Sequence, residues 1–364
     1  MKICMYSVDE VFKPSTGGVK RFAELMNALC ERGHDITLYS ADPADVIRRN
    51  GYSGECIYSG RKQKNIKRIA SLIKNASFER VIVFDVRAAA PLMLHGIKNV
   101  CLFLRQDFYL YRKLMLEDQH ANRLRKALYL RLLCLCEYLC LKNSEKIIVQ
   151  CQFDADGIAA RHPALKKRIA SKTTIQINNA NPSWAKCMPM DDPSCASRYD
   201  VAFVGNFKDS RKGHDLLIPA LLQLSDEGCK LKAAIVGAGK QLQHYQNLCK
   251  DYPEIEFLGR LDNPAPVIRS ARLMIVPSHA DSCPNTVMEA LNYNVPVIGA
   301  NTSGIPEILN NPEWLFDMDI PCIKRALKRG LQPEINEEIR RSQDQRREEL
   351  TFDWGKRMAE IVEA

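Results

Sequence analysis

Short apolar runs alternate with helically spaced apolar positions along the whole chain. In the first half, residues 2–7 form a mostly apolar run, residues 19–30 repeat apolar side chains at helical spacing, and residues 36–39 form the next run. The second half repeats the pattern, with runs at 201–205 and 233–236 on either side of a helical segment. Runs of this kind are typical of strands buried on both faces. The pattern therefore predicts an α/β fold, with a parallel sheet covered by helices in each half.

The first forty residues have the order of a Rossmann-like βαβ unit: a strand, a glycine loop, a helix and a strand. The loop contains Gly17 and Gly18 but lacks the dinucleotide fingerprint, and the following strand does not end in an acidic residue, so we predict no NAD site. Taken by themselves, these two glycines fit plain turn chemistry. In the second half, the segment 237–240 lacks the first glycine and the hydroxyl residue of a P-loop, so we predict no Walker site.

The boundary between the two predicted domains is marked by composition. Residues 182–198 are rich in Pro, Ser, Asp and Met and have no apolar periodicity, which is typical of a linker. We therefore expect a first domain at 1–185 and a second at 186–350, each long enough to bury a core. Residues 351–364 are predicted to form a terminal helix.

Composition and charge limit the classes of partner. The chain has 364 residues, of which 46% are hydrophobic and 26% charged, and a formal net charge of +9. The charge favours an acidic partner, but nucleic acid is not predicted because no basic run is interleaved with aromatic residues. The 14 cysteines form no Cys-x-x-Cys pair and have no histidine at zinc spacing. We expect a reduced cytoplasmic chain without a signal peptide.

The segment 122–142 has two interpretations. It fits an amphipathic helix whose Arg123, Arg125, Lys126 and Arg131 meet anionic lipid while its leucines enter the membrane interface. It also fits an interior helix with a basic first turn, because it is apolar around most of its circumference. The width of the apolar surface favours the interior helix.

The candidate functional residues are concentrated after a predicted strand that ends at Val276. Asp281 and Glu289 flank a polar loop, and a helix is predicted to begin near Thr286. In an open parallel sheet such loops line the ligand crevice, and helix N-termini there present free N–H groups to anions. This arrangement suits a ligand with a pyrophosphate and several hydroxyls. Thr286-x-x-Glu289 also fits a capping box, in which the glutamate has a purely structural role.

The whole stretch resembles the nucleotide-sugar site of the family 4 retaining glycosyltransferases. The resemblance rests on an ordered series of short motifs, namely Pro277-Ser278, Asp281, Glu289-Ala290, Pro296-Val297-Ile298 and Gly304-Ile305-Pro306-Glu307. It implies the GT-B architecture, in which two Rossmann-like domains with parallel sheets face each other across a cleft. It also implies that the C-terminal helix returns to the first domain.

The resemblance implies three catalytic residues. Glu289 would accept hydrogen bonds from the ribose hydroxyls, and Asp281, where relatives usually have glutamate, would contact the transferred sugar. Lys212 would neutralise the departing nucleoside diphosphate, with backbone N–H groups near Gly304 and Ile305. The complete set of donor-binding residues implied in this way is Gly17, Gly18, Gly205, Asn206, Arg211, Lys212, Ser282, Cys283, Glu289, Gly304 and Ile305.

A second position, besides Asp281, departs from the family pattern. Asn206 stands where relatives usually carry arginine, so a fixed positive charge near the phosphates is lost, and we hypothesise that Arg211 compensates for it. On the acceptor side, Arg105 and Asp107 follow a predicted strand and are candidates for acceptor contacts. The alternative for both is simple solvation of a loop.

The resemblance implies transfer of a sugar from a UDP- or GDP-sugar to a hydroxyl of a glycan or lipid-linked acceptor, with retention at the anomeric carbon. We expect no metal and no cofactor, a role in cell-envelope or surface polysaccharide synthesis, and peripheral contact with the inner membrane face. A nucleotide-sugar-binding scaffold without activity is the alternative, favoured by Asn206 and Asp281. A nucleotide-sugar epimerase is a third interpretation of the same fold.

Overall fold

A computed structural model describes residues 1–12, 17–59, 63–64, 66–117, 123–180 and 198–364. The chain forms two compact units. Unit 1 comprises Met1–Tyr109, Asn122–Ile177 and Asp353–Ala364, and unit 2 comprises Leu110–Ala121 and Asn178–Phe352. The predicted linker at 182–198 lies outside the described residues except for its last position, and so does the predicted boundary at residue 185.

The strands before residue 180 are β1 (Lys2–Tyr6), β2 (Asp35–Ser40), β3 (Ser53–Cys56), β4 (Tyr58–Ser59), β5 (Gln63–Lys64), β6 (Arg80–Phe84), β7 (Val100–Leu104), β8 (Lys146–Val149) and β9 (Thr173–Ile175). The helices of the same part are α1 (Gly17–Glu31), α2 (Ala44–Arg49), α3 (Ile66–Asn75), α4 (Val86–Leu94), α5 (Phe108–Glu117), α6 (Arg123–Asn143), α7 (Gln152–Arg161) and α8 (Lys166–Lys172). Seven strands form a parallel sheet in the order β3-β2-β1-β6-β7-β8-β9.

The strands after residue 198 are β10 (Tyr199–Val204), β11 (Ala233–Val236), β12 (Ile255–Gly259), β13 (Ala271–Val276), β14 (Val297–Ala300) and β15 (Leu315–Phe316). The helices are α9 (His214–Asp226), α10 (Leu242–Leu248), α11 (Ala265–Arg269), α12 (Asn285–Asn292), α13 (Ile305–Leu309), α14 (Ile320–Gly330), α15 (Pro333–Leu350) and α16 (Trp354–Glu363). The sheet of unit 2 is also parallel, in the order β12-β11-β10-β13-β14-β15. One parallel sheet in each unit confirms the predicted α/β class with two Rossmann-like domains.

The central strands are apolar because helices cover both faces of each sheet. Ile3 to Tyr6 in β1 and the whole of β7 are buried. In unit 1 the rings of Phe22, Phe84 and Phe103 pack edge to face, with centroids 4.8 and 4.6 Å apart along the series. These aromatic contacts join helix α1 to the middle of the sheet.

The C-terminal helix α16 packs on unit 1, as predicted. Trp354, at its start, is fully buried, and its ring lies 6.1 Å from that of Phe103. The Arg21 guanidinium lies 5.0 Å from the Trp354 ring. At the other end of the helix, Glu363 accepts hydrogen bonds from Arg32 Nε and pairs with His34 Nε2, both at 2.7 Å. An aromatic anchor and an ion pair therefore hold the two ends of α16.

The preferred interpretation of residues 122–142 as an interior helix is wrong. Only four residues of α6 are buried, and they lie on one side. The exposed fractions of four leucines on the other side are 79% for Leu124, 69% for Leu128, 59% for Leu132 and 65% for Leu135. The sequence shows a helix that is apolar around most of its circumference, but it does not show which part of that surface is buried.

Across the described parts of the chain, no helix is both long and apolar enough to span a bilayer.

Candidate active site

The candidate site lies where the strand order of the unit 2 sheet reverses direction. β10 is central, with β11 on one side and β13 on the other. The loops that leave the carboxyl ends of β10 and β13 therefore emerge on either side of a topological switch point. Open α/β sheets bind ligands at this position.

These two loops are joined through their backbones. Gly213 has a φ of +77°, and a Cβ placed there would lie 1.5 Å from the carbonyl oxygen of Pro277, so only glycine fits. The amide of His279 donates to the carbonyl of Arg211 at 2.8 Å. Arg211 Nη1 in turn donates to the carbonyl of Ala280 at 3.0 Å. The loops are thus held together at the positions where the predicted charged residues stand.

Lys212 and Asp281, two of the predicted catalytic residues, meet in a direct ion pair between Nζ and Oδ2. Arg211 Nη1 lies 3.8 Å from the same carboxylate oxygen. The side chains retain between 13 and 16% of their exposure, so solvent reaches the cluster only partly. The structure therefore brings two positive charges and one negative charge together from residues about seventy positions apart in the sequence.

The carboxylate of Asp281 is held in its charged form. Burial alone would raise its pKa, but the charges of Lys212 and Arg211 outweigh that effect. Hydrogen bonds from Lys212 and from the Cys283 amide add to the stabilisation, and the pKa of Asp281 lies below its ordinary value. Asp281 is therefore an acceptor of hydrogen bonds at neutral pH.

Among the described residues, one donor of the Arg211 guanidinium is not used by any side chain or carbonyl. Its Nε is buried and has no hydrogen-bond partner among the described residues. Buried polar groups in proteins are nearly always paired, with protein, water or ligand. A hydrogen bond from an anionic ligand to this buried donor would therefore be favoured.

The loop after β14 is tied to the same cluster. The Asp281 amide donates to Ser303 Oγ at 3.1 Å, and the Gly304 amide donates to the Asp281 carbonyl, also at 3.1 Å. Gly304 precedes α13, and Ile305, its first residue, is fully buried. The hydrogen bond of the Gly304 amide goes to Asp281 here, so the predicted contact of Gly304 and Ile305 with a diphosphate stays a prediction.

Glu289 lies in α12, directly after the loop that carries Asp281. The residue that precedes the first turn is Pro284, and it makes no side-chain cap. Thr286 is the second residue of the helix rather than its N-cap, so the capping-box interpretation is wrong. Glu289 is partly buried on this helix, and its predicted role toward the ribose stays open to experiment.

Sequence reasoning missed Asn178, which anchors the loop between β13 and α12. Its amide donates to Cys283 Sγ at 3.3 Å, and its Nδ2 donates to Asn285 Oδ1 at 3.1 Å. Asn178 itself is buried, as are Ser282 and Cys283. The two loop residues predicted to bind the donor are therefore packed within unit 2. The sequence shows only a pair of adjacent asparagines in a segment of mixed polarity, and nothing in it indicates a partner 105 residues away.

Gly205 and Asn206 shape the start of the loop after β10. A Cβ on Gly205 would lie 2.6 Å from the Phe203 ring and 3.1 Å from Lys212 Cβ, so the glycine allows Lys212 to approach the strand. Asn206 Oδ1 accepts a hydrogen bond from the Lys208 amide at 3.3 Å and so caps a turn. Asparagine here supports the loop, while the local positive charge comes from Arg211 and Lys212.

Four of the residues predicted to bind the donor or the acceptor lie in unit 1. Gly17 and Gly18 open helix α1, and their loop, residues 13–16, lies outside the described residues. Asp107 is buried and accepts two hydrogen bonds from Arg161, at 2.7 and 2.8 Å. Arg161 also donates to Glu137 at 3.0 Å. Solvation of Asp107 in a loop is therefore wrong, because its carboxylate is part of a buried ion network.

Arg105, the other acceptor-side candidate, lies among charged residues of the same sheet edge. Burial lowers the pKa of its guanidinium, and the carboxylates of Asp85 and Asp9 oppose that effect. Asp85 is the N-cap of α4 and accepts a hydrogen bond from the Arg87 amide at 2.7 Å. Its φ of +113° is strained for a residue with a side chain, which is often a mark of a functional position.

Within the described ranges, no three His, Cys, Asp or Glu side chains are grouped as ligands for a metal ion.

The sequence matches a known protein family and several glycosyltransferases. The family described as "Glycosyl transferases group 1" matches residues 198–332, which contain all the site residues of unit 2 discussed above except Asn178. A protein described as an uncharacterized glycosyltransferase of Haemophilus influenzae is 23% identical over 337 residues, covering 88% of each chain. The N-acetyl-alpha-D-glucosaminyl L-malate synthase of Bacillus anthracis is 24% identical over 153 residues, covering 41% of this chain and 40% of the relative.

Solved structures share the fold over the full length. Sucrose-phosphate synthase from Thermosynechococcus elongatus superposes with a TM-score of 0.75 and 15% identity, covering 100% of this chain and 98% of that one. HepE of Anabaena, solved in complex with UDP, superposes with a TM-score of 0.73 and 13% identity, covering 100% of both chains. These likenesses show that the chain has the GT-B fold.

Proposed function

We propose that this chain, a glycosyltransferase of group 1 with the GT-B fold, moves a hexosyl group from a nucleotide-sugar to an acceptor hydroxyl with retention at the anomeric carbon. The observation that carries the proposal is the cluster of Lys212, Arg211 and Asp281 at the switch point of the unit 2 sheet. It offers positive charge to a diphosphate and a charged carboxylate to sugar hydroxyls within one site. The same features support membership of family 4.

Lys212 is the group proposed to stabilise the leaving diphosphate. In this structure its charge is balanced by Asp281. A diphosphate would take over this lysine as partner and release the carboxylate to accept hydrogen bonds from the sugar. In this exchange the lysine keeps an anionic partner, the diphosphate gains a cation, and the carboxylate accepts from hydroxyl groups as water leaves the site.

The proposed reaction forms a bond between the acceptor oxygen and the anomeric carbon. The bond from that carbon to the diphosphate oxygen breaks, its electron pair leaves with the nucleoside diphosphate, and the hydroxyl proton leaves with the departing group. Charge develops on the diphosphate in the transition state, so fixed cations beside it lower the barrier. Arg211, with its unpaired Nε, adds a second cation to Lys212.

The proposed donor is a UDP- or GDP-sugar. UDP is favoured because HepE, which shares the fold, was solved with UDP. Glu289, on the helix that follows Asp281, is the proposed acceptor of hydrogen bonds from the ribose diol. The acceptor is proposed to be a glycan or a lipid-linked glycan, in synthesis of cell-envelope or surface polysaccharide, with the reaction on the cytoplasmic side of the membrane.

The test is a thermal-shift and hydrolysis screen of the purified protein against UDP- and GDP-sugars. The protein is expected to be stabilised by one nucleotide series and to release the diphosphate slowly without an acceptor. Lys212→Ala is expected to lower that hydrolysis by about 100-fold or more, as loss of one stabilising charge does in other enzymes. Lys208→Ala, an exposed lysine of the same loop, is the matched control and should behave as wild type.

Glu289→Ala belongs in the same screen because it tests binding rather than charge stabilisation. Loss of a charged acceptor from a bound diol is expected to weaken nucleotide binding by about 10- to 100-fold. Exposed Glu334→Ala is its control. If no nucleotide changes the unfolding temperature of the wild type, the site has been misassigned.

The second candidate function is a nucleotide-sugar-binding scaffold. Asn206 favours it, because its side chain caps a turn and brings no charge to the phosphates. Stabilisation by a nucleotide-sugar without hydrolysis or transfer, even with pooled glycan acceptors, would favour this function over the enzyme.

A further inference from the structure

One face of helix α6 in unit 1 is exposed to solvent, although it is strongly apolar. Leu124, Leu128, Leu132 and Leu135 are spaced three or four residues apart, so their side chains form a single stripe along the helix. Each of the four is at least 59% exposed, and Tyr138 extends the stripe at 36%. A contiguous exposed stripe of large apolar residues marks an interaction surface.

The opposite face of α6 fixes the helix on unit 1. Leu133, Cys140 and Leu141 are buried on that side. The Cys140 thiol lies 3.7 Å from the Val86 carbonyl of α4 and is oriented to donate to it. Glu137 is buried too, and it accepts from Arg161 at 3.0 Å and pairs with His162 at 2.8 Å. The exposed leucines are therefore held outward by a well-packed helix.

The charged residues of α6 that are exposed to solvent are all basic. Arg123, Arg125, Arg131 and Lys142 are exposed, and Lys126 is partly exposed. The single acidic residue of the helix is Glu137, which is buried on the opposite face. By the helical period, Arg131 and Lys142 project on the same side of the helix as the leucines, and their long side chains can extend from there toward lipid headgroups. The exposed charges that α6 itself contributes are therefore all positive.

We propose that this face of α6 is a membrane-docking surface that lies flat on an anionic lipid bilayer. The leucines and Tyr138 enter the interface between headgroups and acyl chains, and the basic residues meet the lipid phosphates. A helix of 21 residues is about 30 Å long, enough to lie along the surface with all four leucines inserted. The docked unit 1 would then present the enzyme to acceptors that are themselves anchored in the membrane.

The charge pattern favours a bilayer over a second copy of this chain. In a two-fold symmetric pairing of α6 with itself, Arg131, near the middle of the helix, would face its own counterpart. Like charges facing one another across an interface are unfavourable, whereas anionic headgroups neutralise each of the basic residues separately.

The test is co-sedimentation of the full chain with vesicles of phosphatidylcholine that contain about 30 mol% phosphatidylglycerol, compared with vesicles of phosphatidylcholine alone. The wild type is expected to bind the anionic vesicles at low salt and to bind them less at high salt. The combined variant Leu128→Gln, Leu132→Gln, Leu135→Gln is expected to lower the partition coefficient by about ten-fold or more. Leu248→Gln, an exposed leucine of unit 2, is the control and should bind as wild type.

The charge contribution is tested separately with Arg125→Gln and Arg131→Gln combined, which should weaken binding to anionic vesicles only. Unfolding temperature and nucleotide binding, measured on every variant, are expected to stay at the wild-type values, since all five residues are exposed. These readouts keep a failure of docking distinct from a failure of the proposed glycosyltransferase activity. Equal binding of wild type and leucine variant, no binding by either, or a wild-type dimer that the leucine variant makes monomeric would each overturn the proposal.

Discussion

At the scale of single residues, the site is a balance of three charges rather than one catalytic group. Lys212 and Arg211 hold the pKa of Asp281 below its ordinary value, and Asp281 neutralises part of their charge in return. A ligand that carries both a diphosphate and hydroxyl groups would satisfy all three at once. This balance also accommodates Asn206, because the second cation comes from the next turn of the same loop.

Arg211→Ala tests whether this second cation matters. Removing it leaves Lys212 as the sole positive charge in contact with Asp281, and we expect the KM for the donor to rise and kcat to fall, with kcat/KM lower by about 10- to 100-fold. Steady-state transfer kinetics with Arg260→Ala, outside this cluster, as a control would measure it. If donor affinity and turnover are unchanged, Arg211 does not compensate for Asn206.

At the scale of elements, α16 depends on contacts at both of its ends. Trp354 is buried against the core of unit 1, while the other end is held by Glu363 with Arg32 and His34. The hydrogen bonds from Arg32 and His34 lower the pKa of Glu363 from its ordinary value to about 2. The charged form of this glutamate therefore stabilises the last turn of α16.

Glu363→Gln predicts a pH-dependent loss of stability. Because the pKa is lower in the folded than in the unfolded state, the stabilisation is complete above the ordinary pKa of glutamate and disappears as the pH falls toward 2. At neutral pH we expect the variant to unfold about 1–3 °C below the wild type, since the pair is partly exposed. The difference should shrink below about pH 4.

Thermal unfolding followed by circular dichroism across this pH range measures the effect. Exposed Glu338→Gln, in α15, is the control and should show no such trend. A difference between Glu363→Gln and wild type that is independent of pH would mean that the charge of Glu363 does not stabilise this end of α16.

At the scale of the whole molecule, each unit has one parallel sheet, and each sheet has a different group of charged residues near the carboxyl ends of its strands. The unit 2 edge carries the Lys212 cluster, and the unit 1 edge carries Arg105 beside Asp85. In unit 1, the outer face of α6 adds a third surface. The proposed transfer to a membrane-anchored acceptor would use these three surfaces as donor site, acceptor side and docking face.

Metal removal tests the proposed source of catalytic charge. Because Lys212 and Arg211 are proposed to stabilise the diphosphate, we expect dialysis against EDTA to leave transfer within about two-fold of the untreated rate. The rate is measured with the donor identified by the nucleotide screen. Complete loss that magnesium restores would show that the leaving group needs a metal ion.

Much of the fold could be predicted because its strands are buried on both faces. The first strand was expected at 2–7 and spans Lys2–Tyr6, and the strand expected from 201 begins at Tyr199. Short continuous apolar runs bounded by turn residues are typical of buried strands. The motifs around Asp281 and Glu289 were equally visible, since their spacing is a local property of one loop and one helix.

Contacts between distant residues could not be predicted in the same way. Asp107 is buried by Arg161, 54 positions further on, and Asn178 anchors a loop 105 positions away. Which face of α6 is buried depends likewise on where α4 lies. The spacing of apolar residues along α6 does not reveal it, because that spacing is the same for either face. The sequence by itself determined the two parallel sheets and the order of the site motifs, because both follow from local spacing. The tertiary structure alone decided which charges meet, which are buried and which apolar face meets solvent, because these depend on residues that only folding brings together.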